Sequence, residues 1–114
     1  MRSDRDRLLD IVEAIERIER HTNCGREAFA SDELVQTWVI HHIQIIGEAA
    51  RTVSETLRAA HPEIPWRQIV AMRHILVHTY FGVKADEVWV AVETDLPDLK
   101  KKVKVVLEQL GDEK

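Results

Sequence analysis

Residues 31–57 read SDELVQTWVIHHIQIIGEAARTVSETL. Within them Val35, Val39, Ile43, Ile46, Ala50, Val53 and Leu57 recur in steps of three and four, the spacing of one helix face and not the alternation of a strand. Ser31 followed by Glu33 suits the start of a helix, because a short side-chain oxygen can accept from an otherwise unpaired backbone N–H. The stretch therefore predicts one long central helix with a single apolar stripe. Such a stripe has to be buried against others, and the flanking segments supply them.

Upstream, Leu8, Ile11, Val12, Ile15 and Ile18 predict a first amphipathic helix over about residues 3–21, ended by residues 21–25. Downstream, HPEIP (61–65) interrupts the pattern, since Pro62 and Pro65 forbid a continuous helix, while Pro65 suits the first turn of the next one. That helix starts near Trp66 and is closed by Phe81 and Gly82. Ala85 to Val92 is again helical, and Asp95 to Pro97 predicts a kink or restart before Leu99, Val103, Val106 and Leu110. Gly111 is placed to cap the last helix, and the tail GDEK is expected to fray. The expected fold is all-α: an antiparallel bundle of four to five helices forming a single domain over residues 1–114.

Composition agrees. Only four glycines and three prolines punctuate 114 residues, too few for a strand-rich fold of this size. The hydrophobic content of 45% is enough for a core, and self-association would add to it. Charges interrupt every apolar run well short of the roughly 20 residues that span a bilayer, so no membrane segment is expected. Cys24 is the sole cysteine, which excludes an intramolecular disulfide, and MRSDRDR leads into an amphipathic stretch and not an apolar signal core. The expected compartment is the cytoplasm.

A net charge of −4 argues against coating nucleic acid by bulk electrostatics. The charge is unevenly spread, however. Residues 51–80 carry Arg51, Arg58, Arg67 and Arg73 against Glu55 and Glu63, whereas both flanks are acidic. This basic stretch contains RHILVHTY, residues 73–80. At about 100° per residue, Trp66, Ile69, Val70, Leu76, Val77 and Tyr80 fall within roughly 60° of Arg73. A guanidinium in the middle of an apolar face requires a carboxylate or phosphate partner, or an interface where it meets one.

Arg67, Ala71, His74 and His78 occupy another face, about 100° to 160° around the helix from Arg73. Arg73 and His78 on one straight helix would not converge on a single phosphate. Either the helix loosens near His78, or two subunits each supply part of the site across a two-fold axis. Histidine can exchange protons near neutral pH, and arginine can brace phosphate oxygens. Together they suit RNA cleavage, which needs a base for the 2′-hydroxyl, an acid for the leaving 5′-oxygen and a cation for the phosphorane. Neither a metal nor another cofactor is required by that scheme, and DNA lacks the hydroxyl it needs.

The stretch IIGEAARTVSETLRAAHPEIPWRQIVAMRHILVHTYFGV (45–83) resembles the HepT-like branch of the HEPN family, toxin ribonucleases paired with a minimal nucleotidyltransferase antitoxin. The likeness extends more loosely over nearly the whole chain, including DLPDL. Arg73, His74, His78 and Tyr80 fill the family motif, and GEAA and HPEIPW in the same order make the match specific. The resemblance implies an all-helical homodimer with a composite cleft and metal-independent endoribonuclease activity on RNA. It implies Arg73 and His78 as catalytic residues, His74 and Glu48 in supporting roles, and Tyr80 as the site of AMPylation by the antitoxin. The alternative is a catalytically silent HEPN protein that binds RNA or nucleotide, or serves as docking partner and AMPylation substrate of the nucleotidyltransferase. One departure from the pattern is His74, where asparagine is common.

Simpler readings stand beside these. Glu48 projects opposite the main stripe near Arg51, as a solvated or ion-paired carboxylate would. His41, His42 and Cys24 do not complete a metal site, nor does the pair His74 and His78. Trp38, Trp66 and Trp89 are expected in the core or an interface. The lysines at 100, 101, 102 and 104 form a solvated face or an extension of an RNA track.

Overall fold

A computed structural model describes residues 3–78 and 85–111, with the side chains of 73–78, 85 and 86 excepted. The described residues are helical, without strands, as the apolar periodicity predicts.

Helix α1 (Asp4–Arg20) begins in a capping box. The Ser3 hydroxyl accepts from the Asp6 N–H at 3.1 Å, and the Asp6 carboxylate accepts from the Ser3 N–H at 3.2 Å. Acids in its first turn and arginines in its last match the helix dipole. Leu8, Ile11, Ile15 and Ile18 are fully buried, the stripe read from sequence. Gly25, at φ 94°, then reverses the chain in the left-handed region where a side chain would be strained.

A short helix α2 (Arg26–Ser31) follows, which periodicity does not reveal, and its Phe29 is fully buried with its ring 5.3 Å from that of Trp89. The cap of the central helix α3 (Glu33–Thr52) is Asp32, whose carboxylate accepts from the Val35 N–H at 3.1 Å. Ser31 instead bonds back to the Ala28 carbonyl at 3.2 Å, within α2.

The central helix also ends earlier than its stripe. Val53 is extended, and Ser54 caps a separate helix α4 (Glu55–Ala60). The cause lies in α1: the Asp4 carboxylate takes the Ser54 N–H at 2.9 Å and the Ser54 hydroxyl at 2.6 Å. The N–H that would have continued α3 is thereby diverted. Val53 and Leu57 remain buried on either side of the break, so the apolar pattern runs through it.

After HPEIP, Ile64 is buried and the Trp66 indole N–H donates to the His61 carbonyl at 3.0 Å, fixing the start of α5 (Trp66–His78). Helix α6 (Ala85–Val90) passes through a π-helical turn (Ala91–Asp95) into α7 (Leu96–Gly111). The expected kink at Asp95 to Pro97 is thus a widened turn, in which the Leu96 N–H reaches back five residues to Ala91. That spacing relieves Pro97, whose ring would otherwise meet a carbonyl of the preceding turn. Gly111 is still helical.

The long helices run antiparallel. Arg7 at the start of α1 donates to the Thr52 carbonyl at the end of α3, and Trp38 near the start of α3 donates to the Arg17 carbonyl at 3.0 Å. Lys100 near the start of α7 pairs with Glu19 near the end of α1 at 2.8 Å. Helix α5 packs on α3, and α7 on α1. Their stripes meet in one core that includes Ile43, Ile46, Ile69, Leu96, Val103 and Val106.

Candidate functional site

Helix α5 carries the motif. Trp66 and Ile69 are buried on the α3 side, Val70 and Met72 are half-buried, and Arg67, Gln68 and Ala71 are exposed. The helix stays α-helical through His78, so it does not loosen before that residue. Five residues of α-helix leave positions 73 and 78 about 140° apart around the axis. The side chains of Arg73, His74 and His78, and the whole of Tyr80, lie outside the described residues, as do Phe81 and Gly82.

Two grooves flank α5, and their charges differ in sign. On the side of α3 and α4 lies an open groove of about 770 Å³, rimmed by Arg51, Glu55, Arg58 and Arg67 over a floor that includes Trp66 and Val70. On the opposite side, a groove of about 720 Å³ runs between α5 and the π turn, with Glu87, Asp95 and Asp98 around Ile69 and Leu96. An anion approaching α5 is attracted from the first side and repelled from the second.

Glu48 sits on α3 and is exposed, as read from sequence. Its carboxylate holds Arg51 at both oxygens, with Nη2 at 2.5 Å from Oε1 and Nε at 3.2 Å from Oε2. This bidentate bond raises the Arg51 pKa above its ordinary value. Glu48 also borders a shallow groove between α1 and α3 with Arg7 and His41.

His42 differs from its neighbour, being only 3% exposed. Its Nδ1 lies 2.8 Å from the Trp38 carbonyl. A carbonyl only accepts, so Nδ1 carries the proton. The ring packs 4.3 Å from the Trp38 ring, and burial holds its pKa below the ordinary histidine value. This is a neutral core histidine. Among the described residues, no three of histidine, cysteine, aspartate and glutamate cluster to hold a metal ion.

Three of the four lysines at 100, 101, 102 and 104 pair with acids. Lys100 pairs with Glu19 and, at 3.6 Å, with Glu16; Lys104 lies 3.8 Å from Glu16, and Lys102 pairs with Asp98 at 2.9 Å. Trp66 and Trp89 are buried, whereas Trp38 is partly exposed with its ring between His21 and His42. The residues missed from sequence are Arg58 and Arg67 as a pair across one groove. The local excess of arginine was visible, but their juxtaposition depends on how α4 folds back beside α5.

Among the described residues no helix is long and apolar enough to cross a membrane. The model for the family described as Ribonuclease HepT-like matches residues 11–106. A protein of Thermococcus cleftensis, whose name gives it as a probable ribonuclease HepT, is 46% identical over 103 residues, 89% of this chain and 93% of its own length. One from Methanocaldococcus jannaschii, whose name proposes an RNase, is 36% identical over 87% of this chain and 92% of its own. Another such protein, from Caldanaerobacter subterraneus subsp. tengcongensis, is 34% identical over 81% of this chain and 82% of its own. No solved structure matches.

Proposed function

The chain belongs to the HepT-like ribonucleases of the HEPN family, and from that premise we propose that it is the toxin of a toxin–antitoxin pair, a metal-independent endoribonuclease acting as a homodimer. The observation that carries this reading is a family match over residues 11–106 that encloses the intact motif RHILVHTY.

In the proposed site, Arg73 braces the phosphorane through paired donors to its oxygens. His78 moves protons. The base removes the proton of the 2′-hydroxyl, whose oxygen attacks the adjacent phosphorus; the acid returns a proton to the departing 5′-oxygen, leaving a 2′,3′-cyclic phosphate and a free 5′-hydroxyl. One histidine cannot do both at once, and a two-fold cleft supplies a second copy of His78. The continuity of α5 through His78 supports the dimer, because it keeps the two motif positions apart on a single helix. His74 and Glu48 support the site, Glu48 through its hold on Arg51. A minimal nucleotidyltransferase antitoxin transfers AMP from ATP to the Tyr80 hydroxyl with loss of pyrophosphate. The added bulk and negative charge then exclude RNA.

The test incubates the purified protein with RNA and with DNA in EDTA, beside Arg73→Ala and His78→Ala. Cleavage of RNA alone, lost in both variants, is expected. Intact RNA, or cleavage surviving both substitutions, sinks the reading and favours a silent protein that the antitoxin merely docks on and modifies. Sedimentation at assay concentration checks the dimer; a fully active monomer would remove it.

A further inference from the structure

Some described arginines of α1 and α3 already have partners. Arg17 pairs with Glu13 at 2.7 Å, Arg51 with Glu48, and Arg7 with the Thr52 carbonyl. Arg58 and Arg67 differ: among the described residues neither has an ion-pair partner, and both line the groove between α4 and α5. Arg58 is half-buried and Arg67 exposed. Arg58 and Arg67 thus border one groove beside Arg51, which Glu48 already holds, with Glu55 as its lining carboxylate, and an anion would offset the charge of the two arginines that lack a partner. The groove floor cannot read bases. Trp66 is only 8% exposed and its indole N–H is committed to His61, so no ring face is free for stacking.

The groove also leads to the motif. Arg67 and Ala71 begin a succession of positions, 67, 71, 74 and 78, that lie one above another on α5. From 67 to 78 the helix rises about 16 Å, the reach of a few nucleotides.

We propose that this groove binds the phosphate backbone of the RNA substrate, with Arg58 and Arg67 as phosphate contacts that deliver the strand to the α5 motif. The proposal rests on the reading of the chain as a ribonuclease. The contacts are electrostatic and sequence-independent, so they set affinity and path and not the choice of cleavage site.

The test measures binding of a fluorescently labelled single-stranded RNA by anisotropy, using the full chain with His78→Ala so that substrate is not consumed. Adding Arg58→Ala or Arg67→Ala is expected to weaken binding about three- to tenfold at fixed salt. Each should also flatten the slope of log affinity against log salt by about 0.7. Scrambling the RNA sequence should not change these losses, lysine at either position should restore most of the affinity, and Glu55→Gln should tighten binding. Unchanged affinity and slope, in variants that melt like the parent, would overturn the proposal. So would unchanged affinity with sedimentation shifted toward monomer, which would make the groove a subunit interface. Failure of the unmutated chain to cleave RNA would remove the ribonuclease reading, yet arginine-dependent binding would still stand for the groove.

Discussion

Replacing Asp4 by alanine removes the acceptor that separates α3 from α4. Its two oxygens hold the Ser54 N–H at 2.9 Å and the Ser54 hydroxyl at 2.6 Å across 50 residues of sequence. Each is a charge-assisted bond, but Ser54 is exposed, so solvent recovers much of the loss. Adding the lost acid in the first turn of α1, the cost comes to about 1.5 kcal/mol. With an unfolding entropy of about 0.24 kcal/mol/K for a chain of this length, that is a drop of about 6 °C in melting temperature. Asp4→Asn keeps one acceptor oxygen and should lose less than half as much. Calorimetry reads the melting shift, and amide hydrogen exchange reads Ser54 directly: its N–H should exchange faster or become protected by a new bond to Ala50. A melting temperature within a degree of the parent, with Ser54 exchange unaltered, would refute the idea that this contact ends the central helix.

Three other outcomes follow from the same physical reasoning. Phe29→Ala empties a fully buried site against Trp89 and should cost about 3–5 kcal/mol in urea unfolding; a loss under 1 kcal/mol would mean that α2 does not seal the core. His42 has a folded pKa below its unfolded value, so the unfolded chain takes the proton first. Stability is therefore full above about pH 6.5 and declines as pH falls toward and through the folded value; urea midpoints at pH 8 and pH 5.5 test this, and no decline, or one unaltered by His42→Asn, would count against it. If two copies of His78 serve as base and acid, kcat/KM for RNA should trace a bell-shaped pH profile, with limbs of about unit slope. A single-limbed or flat profile would argue that another group transfers one of the protons.

The long helices were legible because burial selects for periodicity: Leu8 to Ile18, Val39 to Ala50 and Leu99 to Val106 are buried where their spacing says. What escaped depends on partners distant in sequence or on choices between similar residues. The break after Thr52 is dictated by Asp4, which no local pattern near Ser54 reports. Ser31 and Asp32 are both good caps, and the chain uses the second while the first bonds within α2. Six residues of α2 are too few to show a period. Of the two surface readings of Glu48, solvated or ion-paired, the structure has the second, because Arg51 lies one turn on. Lys100 and Lys104 could not be assigned from their own helix, since their partners Glu16 and Glu19 belong to α1, whereas Lys102 pairs with Asp98 within α7. The roles proposed for Arg73 and His78 come from family likeness joined to residue chemistry and wheel geometry, the one proposed for Tyr80 comes from family likeness alone, and Arg58 with Arg67 required the tertiary fold.

The π turn at Ala91–Asp95 bears on how this chain tolerates changes in length. A π turn accommodates one residue more than an α turn, and Val88 and Leu99 are both buried on either side of it. Deleting one residue within 91–95 would therefore disturb the packing less than a deletion elsewhere in α7, which would rotate the following side chains by about 100°. The shortened chain would, however, bring the ring of Pro97 against a carbonyl of the previous turn. The deletion and Pro97→Ala form a coupled pair: the first alone is damaging, and the second makes it tolerable. Relatives shorter by one residue here would be expected to lack the proline.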